Sequence, residues 1–236
     1  MIFMDLLDKL NHEQRKAAMH TEGPLLLIAG AGSGKTRVIT HRIANLIEKG
    51  VSPFNILAIT FTNKAAKEMK QRVNELSPRG NEVWVSTFHS MCVRILRSHI
   101  NNLGYENSFT IYDSDDSESV MKSVVKELNL YDKMYQPKSV LGIVGRYKDQ
   151  LKTPLDIKKE AETDFRLENY AMIYETYQKK LKNNNALDFD DIIFKTVDLF
   201  KSKPEILEKY QDRFHYIMVD EYQDSATRCA MKSCAA

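Results

Sequence analysis

Eight consecutive residues, Ala29-Gly30-Ala31-Gly32-Ser33-Gly34-Lys35-Thr36, set three glycines, a lysine and a hydroxyl at the end of an apolar run. Backbone N–H groups can wrap phosphate oxygens only where no Cβ obstructs them, and glycine removes that obstruction. A helix beginning at Lys35 adds the positive end of its dipole. The lysine then reaches the β- and γ-phosphates, and the Thr36 hydroxyl is a ligand for Mg2+. Ala29 stands where the G-x-x-x-x-G-K-[ST] pattern has glycine, a departure that keeps the residue small. The plain alternative is a glycine-rich turn with an incidental lysine. An apolar strand pattern before it and a helical pattern after it favour the phosphate cradle.

A phosphate loop does not say what becomes of the nucleotide. Hydrolysis needs a carboxylate at a strand end to hold Mg2+ and a second one to activate water. Tyr216-Ile217-Met218-Val219-Asp220-Glu221 supplies both, with Asp220 on the metal side and Glu221 as general base. Together with the loop, this pair favours an ATPase over a kinase. Two other carboxylate clusters, Asp113-Ser114-Asp115-Asp116 and Asp188-Phe189-Asp190-Asp191, invite a two-metal or nuclease reading. Both stand just before helical patterns, where Asp caps the first turn, and capping is the expected role. His89 has no partner set in the sequence that would make it a metal ligand.

The elements that must position these groups follow from the hydrophobic pattern. Pro24–Ala29 reads as a strand covered on both faces, followed by a helix over Lys35–Lys49. Ile56–Phe61 is a second strand, followed by a helix from Lys64 to about Leu76 with Asn63 as its N-cap. Glu82–Ser86 is a third, followed by a helix from about His89 to Ile100. Repeated alternation of this kind predicts a parallel sheet with right-handed crossovers. After Phe109–Tyr112 the pattern becomes helical, near Ser114–Leu130, Ser139–Leu151, Phe165–Lys182, Asp188–Phe200 and Lys203–Asp212, until an apolar run resumes at His215–Val219. The expected organisation is an α/β domain in two parts, 1–90 and 211–236, interrupted by a helical insertion at 91–210. Tyr170, Tyr174 and Tyr177 recur at helical spacing and are expected to pack inside that insertion.

Composition agrees with a globular chain. Its 236 residues are 43% hydrophobic, with only 9 glycines and 6 prolines, which excludes collagen-like and low-complexity classes. The net charge of +2 excludes a polycation, yet residues 1–90 hold 12 Lys+Arg against 8 Asp+Glu, so the positive excess lies with the phosphate loop. No apolar run approaches the length of a membrane span, and carboxylates interrupt the first residues, so a cytoplasmic protein is expected. Cys92, Cys229 and Cys234 form neither a CxxC nor an even framework.

Five segments, in order and spacing, resemble the motifs of UvrD/PcrA/Rep-type superfamily 1 DNA helicases. They are Leu10–Gln14, Gly30–Arg37, Thr60–Ala66, Ser86–Ser90 and Asp220–Asp224, with Ala186–Asp191 as a weaker sixth. The resemblance runs from residue 10 to about 225. It implies a RecA-like P-loop NTPase domain, a parallel sheet flanked by helices with a mostly helical inserted subdomain, in ATP-dependent enzymes that move 3′ to 5′ along single-stranded DNA.

The resemblance also assigns roles. It makes Gln14 the reader of adenine, lays Arg37 against the adenine face, and gives Gln223 the γ-phosphate or the attacking water. It places Phe61, Thr62 and Asn63 in one single-strand contact motif and Thr87, Phe88 and His89 in another. Aromatic stacking and small polar groups at strand ends suit that task, although Phe61 and Phe88 could also be core aromatics. Lys64, Lys67, Lys70 and Arg72 are divided between an ordinary solvated face and tracking of the phosphate backbone. ATP and Mg2+ are the implied cofactors, with single-stranded DNA and DNA junctions as partners.

Beyond Ala226 the match is lost, and the resemblance implies a second RecA-like domain that supplies arginines to the transition state. The expectation is therefore the front part of a longer helicase, binding nucleotide without unwinding. A non-catalytic nucleotide- and single-strand-binding module, or a piece of a RecB/AddA-like helicase–nuclease subunit, are the alternatives.

Overall fold

The computed structural model describes residues 6–130 and 133–222. The chain divides into two compact units: one takes the residues up to Met91 and those from Leu207 to Tyr222, the other takes Cys92–Ile206.

In the first unit, three parallel strands, β1 (Ile56–Thr60), β2 (Trp84–Thr87) and β5 (Tyr216–Val219), stand in the order β2-β1-β5. β1 is central and buried along its whole length, which explains its unbroken apolar run. Its register pairs Thr60 with Thr87 and Ile59 with Val219, so all three strands end at one edge of the sheet. Helices α1 (His12–Met19), α2 (Lys35–Glu48) and α3 (Asn63–Leu76) belong to the same unit. Ile39, Ile43 and Leu46 of α2 and Met69 and Val73 of α3 meet Ile56, Ala58 and Met218 in one apolar cluster. On the strand β2 side, the Trp84 ring meets Phe214 edge-on at 5.3 Å.

Two expectations are corrected here. Pro24–Ala29 has no regular secondary structure and pairs with no strand among the described residues, and Leu25, Leu26 and Ile28 are 40%, 68% and 89% exposed. A covered parallel strand needs backbone partners and helices on its faces, which a local apolar run cannot supply. Leu27 alone packs inward, on the cluster of Leu7, Leu10, Ala18 and Val38. Secondly, the cap of α3 is Thr62, whose hydroxyl accepts the Ala65 N–H at 3.1 Å, and Asn63 is the first helical residue.

The second unit is helical: α4 (Phe88–His99) leads into it, followed by α5 (Ser114–Glu127), α6 (Pro137–Asp149), α7 (Pro154–Ala161), α8 (Phe165–Asn183) and α9 (Phe189–Ser202), and α10 (Pro204–Arg213) leads out. Two-residue strands β3 (Thr110–Ile111) and β4 (Ala186–Leu187) pair with each other, so Phe109–Tyr112 belongs to this unit and not to the main sheet. Helix α7 has no counterpart among the sequence expectations. Tyr174 and Tyr177 are fully buried and Tyr170 nearly so, with Val140, Val144 and Ile157 around them. Among the described residues no helix is long and apolar enough to cross a membrane.

Candidate nucleotide site

Helix α2 starts at Lys35, one residue after Gly34, whose φ of 86° lies in the left-handed region that glycine adopts freely. The loop before it folds on itself: Ser33 donates to the Gly30 carbonyl through its hydroxyl at 2.7 Å and through its backbone N–H at 3.3 Å. Lys35 Nζ donates to the carbonyls of Ala29 at 2.9 Å and Gly30 at 3.1 Å. Ala31 and Gly32 form the exposed tip, Gly32 with φ of 75°.

The deciding contact joins residues 184 positions apart: Thr36 Oγ1 donates to Asp220 Oδ2 at 2.7 Å. Asp220 follows β5, its backbone N–H held by the Ile59 carbonyl at 2.8 Å, and its side chain is mostly buried. Parallel pairing with β1 thus delivers the carboxylate to the foot of the phosphate loop. Glu221 is exposed and has φ of 60°. A left-handed conformation costs a non-glycine residue about 1–2 kcal/mol, and it turns the chain sharply between the two carboxylates. Gln223 lies outside the described residues.

Hard oxygen donors one hydrogen bond apart fit Mg2+, which takes one or two protein ligands alongside substrate phosphates. Among the described residues no group of three His, Cys, Asp or Glu side chains could hold a metal ion by itself. Sharing the ion with a nucleotide is the arrangement this donor set suits.

Gln14 reaches the loop, whereas Arg37 reaches the segment before α1. Gln14 Nε2 donates to the Ser33 carbonyl at 2.9 Å, and Arg37 Nη2 donates to the Lys9 carbonyl at 2.7 Å. Asn11, within the Leu10–Gln14 segment but without a role of its own in the sequence, caps α1 and exchanges bonds with Gln14: its Oδ1 accepts the Gln14 N–H, and its own N–H donates to Gln14 Oε1. Asn-x-x-Gln ahead of a helix is a capping-box signature, so this tie was readable in principle.

The residues expected to meet DNA begin where β1 and β2 end. Phe61 is 59% exposed and Thr62 and Asn63 are exposed with it. Phe88 is only 8% exposed, so its ring packs inward and offers no open face for stacking. Thr87 is buried and caps α4 by accepting the Ser90 N–H at 3.2 Å. Burial of His89 pushes its imidazole below the usual histidine range, keeping the ring neutral at pH 7. The structure thus sets Phe61 and Phe88 apart, although the sequence treats them alike.

A protein-family model described as the UvrD/REP helicase N-terminal domain matches residues 10–230. The chain belongs to this family. ATP-dependent DNA helicase PcrA of Staphylococcus aureus (strain Mu50) is 54% identical over 222 residues, 93% of this chain and 30% of that protein. Its counterpart in Staphylococcus epidermidis (strain ATCC 35984) is 55% identical over the same length. The chain spans about 30% of the length of these relatives. Its sheet unit is the RecA-like fold of the family, a parallel sheet flanked by helices.

Proposed function

We propose that this chain binds and positions ATP with Mg2+ as the first motor domain of an ATP-dependent 3′–5′ DNA helicase. The observation that carries the reading is the Thr36–Asp220 contact at the foot of the phosphate loop. In this reading the sheet unit is the ATP-binding domain and Cys92–Ile206 is the inserted subdomain. The glycine loop and the first turn of α2 receive the triphosphate, and Lys35 transfers its hydrogen bonds from the Ala29 and Gly30 carbonyls to phosphate oxygens. Thr36 and Asp220 would hold the metal, which would supply shielding of the phosphate charge. Glu221 takes the proton of the attacking water. Exposed Phe61, with Thr62 and Asn63, contacts single-stranded DNA at the same sheet edge. An arginine supplied from outside such a site is worth roughly 10³–10⁵ in rate. Robust turnover and unwinding therefore belong to an enzyme of the relatives' full length, and the 236-residue chain binds nucleotide without unwinding.

The test is ATP binding and turnover by this chain, with and without single-stranded DNA. Lys35→Ala should abolish ATP binding. Unchanged binding would remove the phosphate-loop assignment, and vigorous DNA-stimulated turnover by this chain would overturn the need for a second motor domain.

A further inference from the structure

We propose that Gln14 is a positioning residue for the phosphate cradle, acting through the Ser33–Gly34 peptide, in addition to reading the base. The proposal rests on the nucleotide reading above. Gln14 Nε2 holds the Ser33 carbonyl at 2.9 Å while Gln14 Oε1 accepts the Asn11 N–H at 3.1 Å. Those neighbours fix which way the amide faces, because the Asn11 N–H demands the oxygen and the Ser33 carbonyl demands the nitrogen. A trans peptide is planar, with its C=O and N–H on opposite sides. Drawing the Ser33 carbonyl toward Gln14 therefore turns the Gly34 N–H away from Gln14, toward the loop that receives phosphate.

The contact is close. A Cβ on Gly34 would stand 2.8 Å from Gln14 Nε2 and push the amide aside, and the φ of 86° at this position itself favours glycine. The Asn11 side chain caps α1 by accepting the Gln14 backbone N–H at 2.9 Å, a bond to the helix and not to the Gln14 amide. The Arg37–Lys9 bond ties α2 to the segment before α1 a second time. A side chain placed to touch the base thereby also sets a backbone donor for the phosphates, so the two ends of the nucleotide are read through one residue.

Inorganic tripolyphosphate, which has no base, separates the two roles. With Mg2+ present, Gln14→Ala should weaken tripolyphosphate binding to this chain about fivefold, the worth of one hydrogen bond, and ATP binding by more. Asn11→Ala removes the helix cap but keeps the backbone N–H that holds Gln14 Oε1. It should lower the melting temperature yet change tripolyphosphate affinity by less than about twofold. The proposal is overturned if Gln14→Ala weakens ATP alone, if Asn11→Ala weakens tripolyphosphate as much as Gln14→Ala does, or if the wild type binds ATP but no tripolyphosphate. The nucleotide reading fails separately if Lys35→Ala leaves the binding of both ligands unchanged.

Discussion

Two carboxylate pairs that look alike in the sequence end in opposite situations. In the sheet unit, Asp220 accepts one hydroxyl and Glu221 is exposed. In the helical unit, Asp188 and Asp191 are buried against the fully buried Lys148, at 2.6 Å and 3.0 Å. Asp188 also caps α9 and accepts from Tyr177 Oη at 3.1 Å, and Asp191 accepts from Gln178 at 2.7 Å. Polar groups buried against one another inside a fold answer one another, whereas the sheet-unit pair differs in burial, Asp220 covered and Glu221 open to water. The helical unit spends its charges on its own architecture.

The strongest way to break this contrast is Lys148→Met. It strands two buried carboxylates and should cost about 3–5 kcal/mol in urea unfolding; a loss below 1 kcal/mol would show that the pair is not buried as described. The second test uses pH. Burial first, and then the Asp188 charge, push Asp191 up to about 6; burial also raises Asp188, but the Lys148 charge and hydrogen bond, with those from the Asp191 N–H and the Tyr177 hydroxyl, together hold that carboxyl below the usual range. Between pH 4 and 6 the folded state therefore holds more protons at Asp191 than the unfolded chain does. Its contribution to stability falls as pH rises through that window and is level above it. The Asp188 contribution runs the other way, and is lost only as pH falls below the ordinary aspartate value. Asp191→Asn should flatten the decline in melting temperature between pH 4.5 and 6.5; an unchanged slope would assign it to another group.

Smaller effects sharpen the comparison. Thr153 caps α7 with a capping box, and Thr153→Ala should cost about 1 kcal/mol, measured by the same unfolding curves. Lys35→Ala should change stability by less than about 0.5 kcal/mol, since the lysine bonds only to carbonyls of its own exposed loop. A large stability loss there would make Lys35 a structural residue and erase the contrast with Lys148.

What the sequence makes legible follows the range of the interaction. The glycine-rich turn before α2, the start of α2, the caps at Asp113 and Asp188 and the burial of the tyrosines are local patterns, and the structure has them. Helix α7 is also local, written as Thr153-Pro154 followed by Asp156, and was missed because its eight residues hold only two buried side chains, Ile157 and Ala161. By contrast, the Lys148–Asp188 bond spans 40 positions and no periodicity announces it, and the Thr36–Asp220 bond, which spans 184, is foreshadowed only because both groups suit one Mg2+. The lack of strand pairing at Pro24–Ala29 is of the same kind, because pairing is a property of neighbours and not of the run itself.

The unpaired Pro24–Ala29 segment has a practical consequence. Leu25-Leu26-Leu27-Ile28-Ala29 is a chargeless apolar stretch, and three of its side chains are at least 40% open to water. Stretches of this composition, when open to water, recruit copies of themselves, and Pro24 guards only one end. Purified at high concentration, this chain should self-associate through that segment first, and Ile28→Lys should raise the concentration at which light scattering appears.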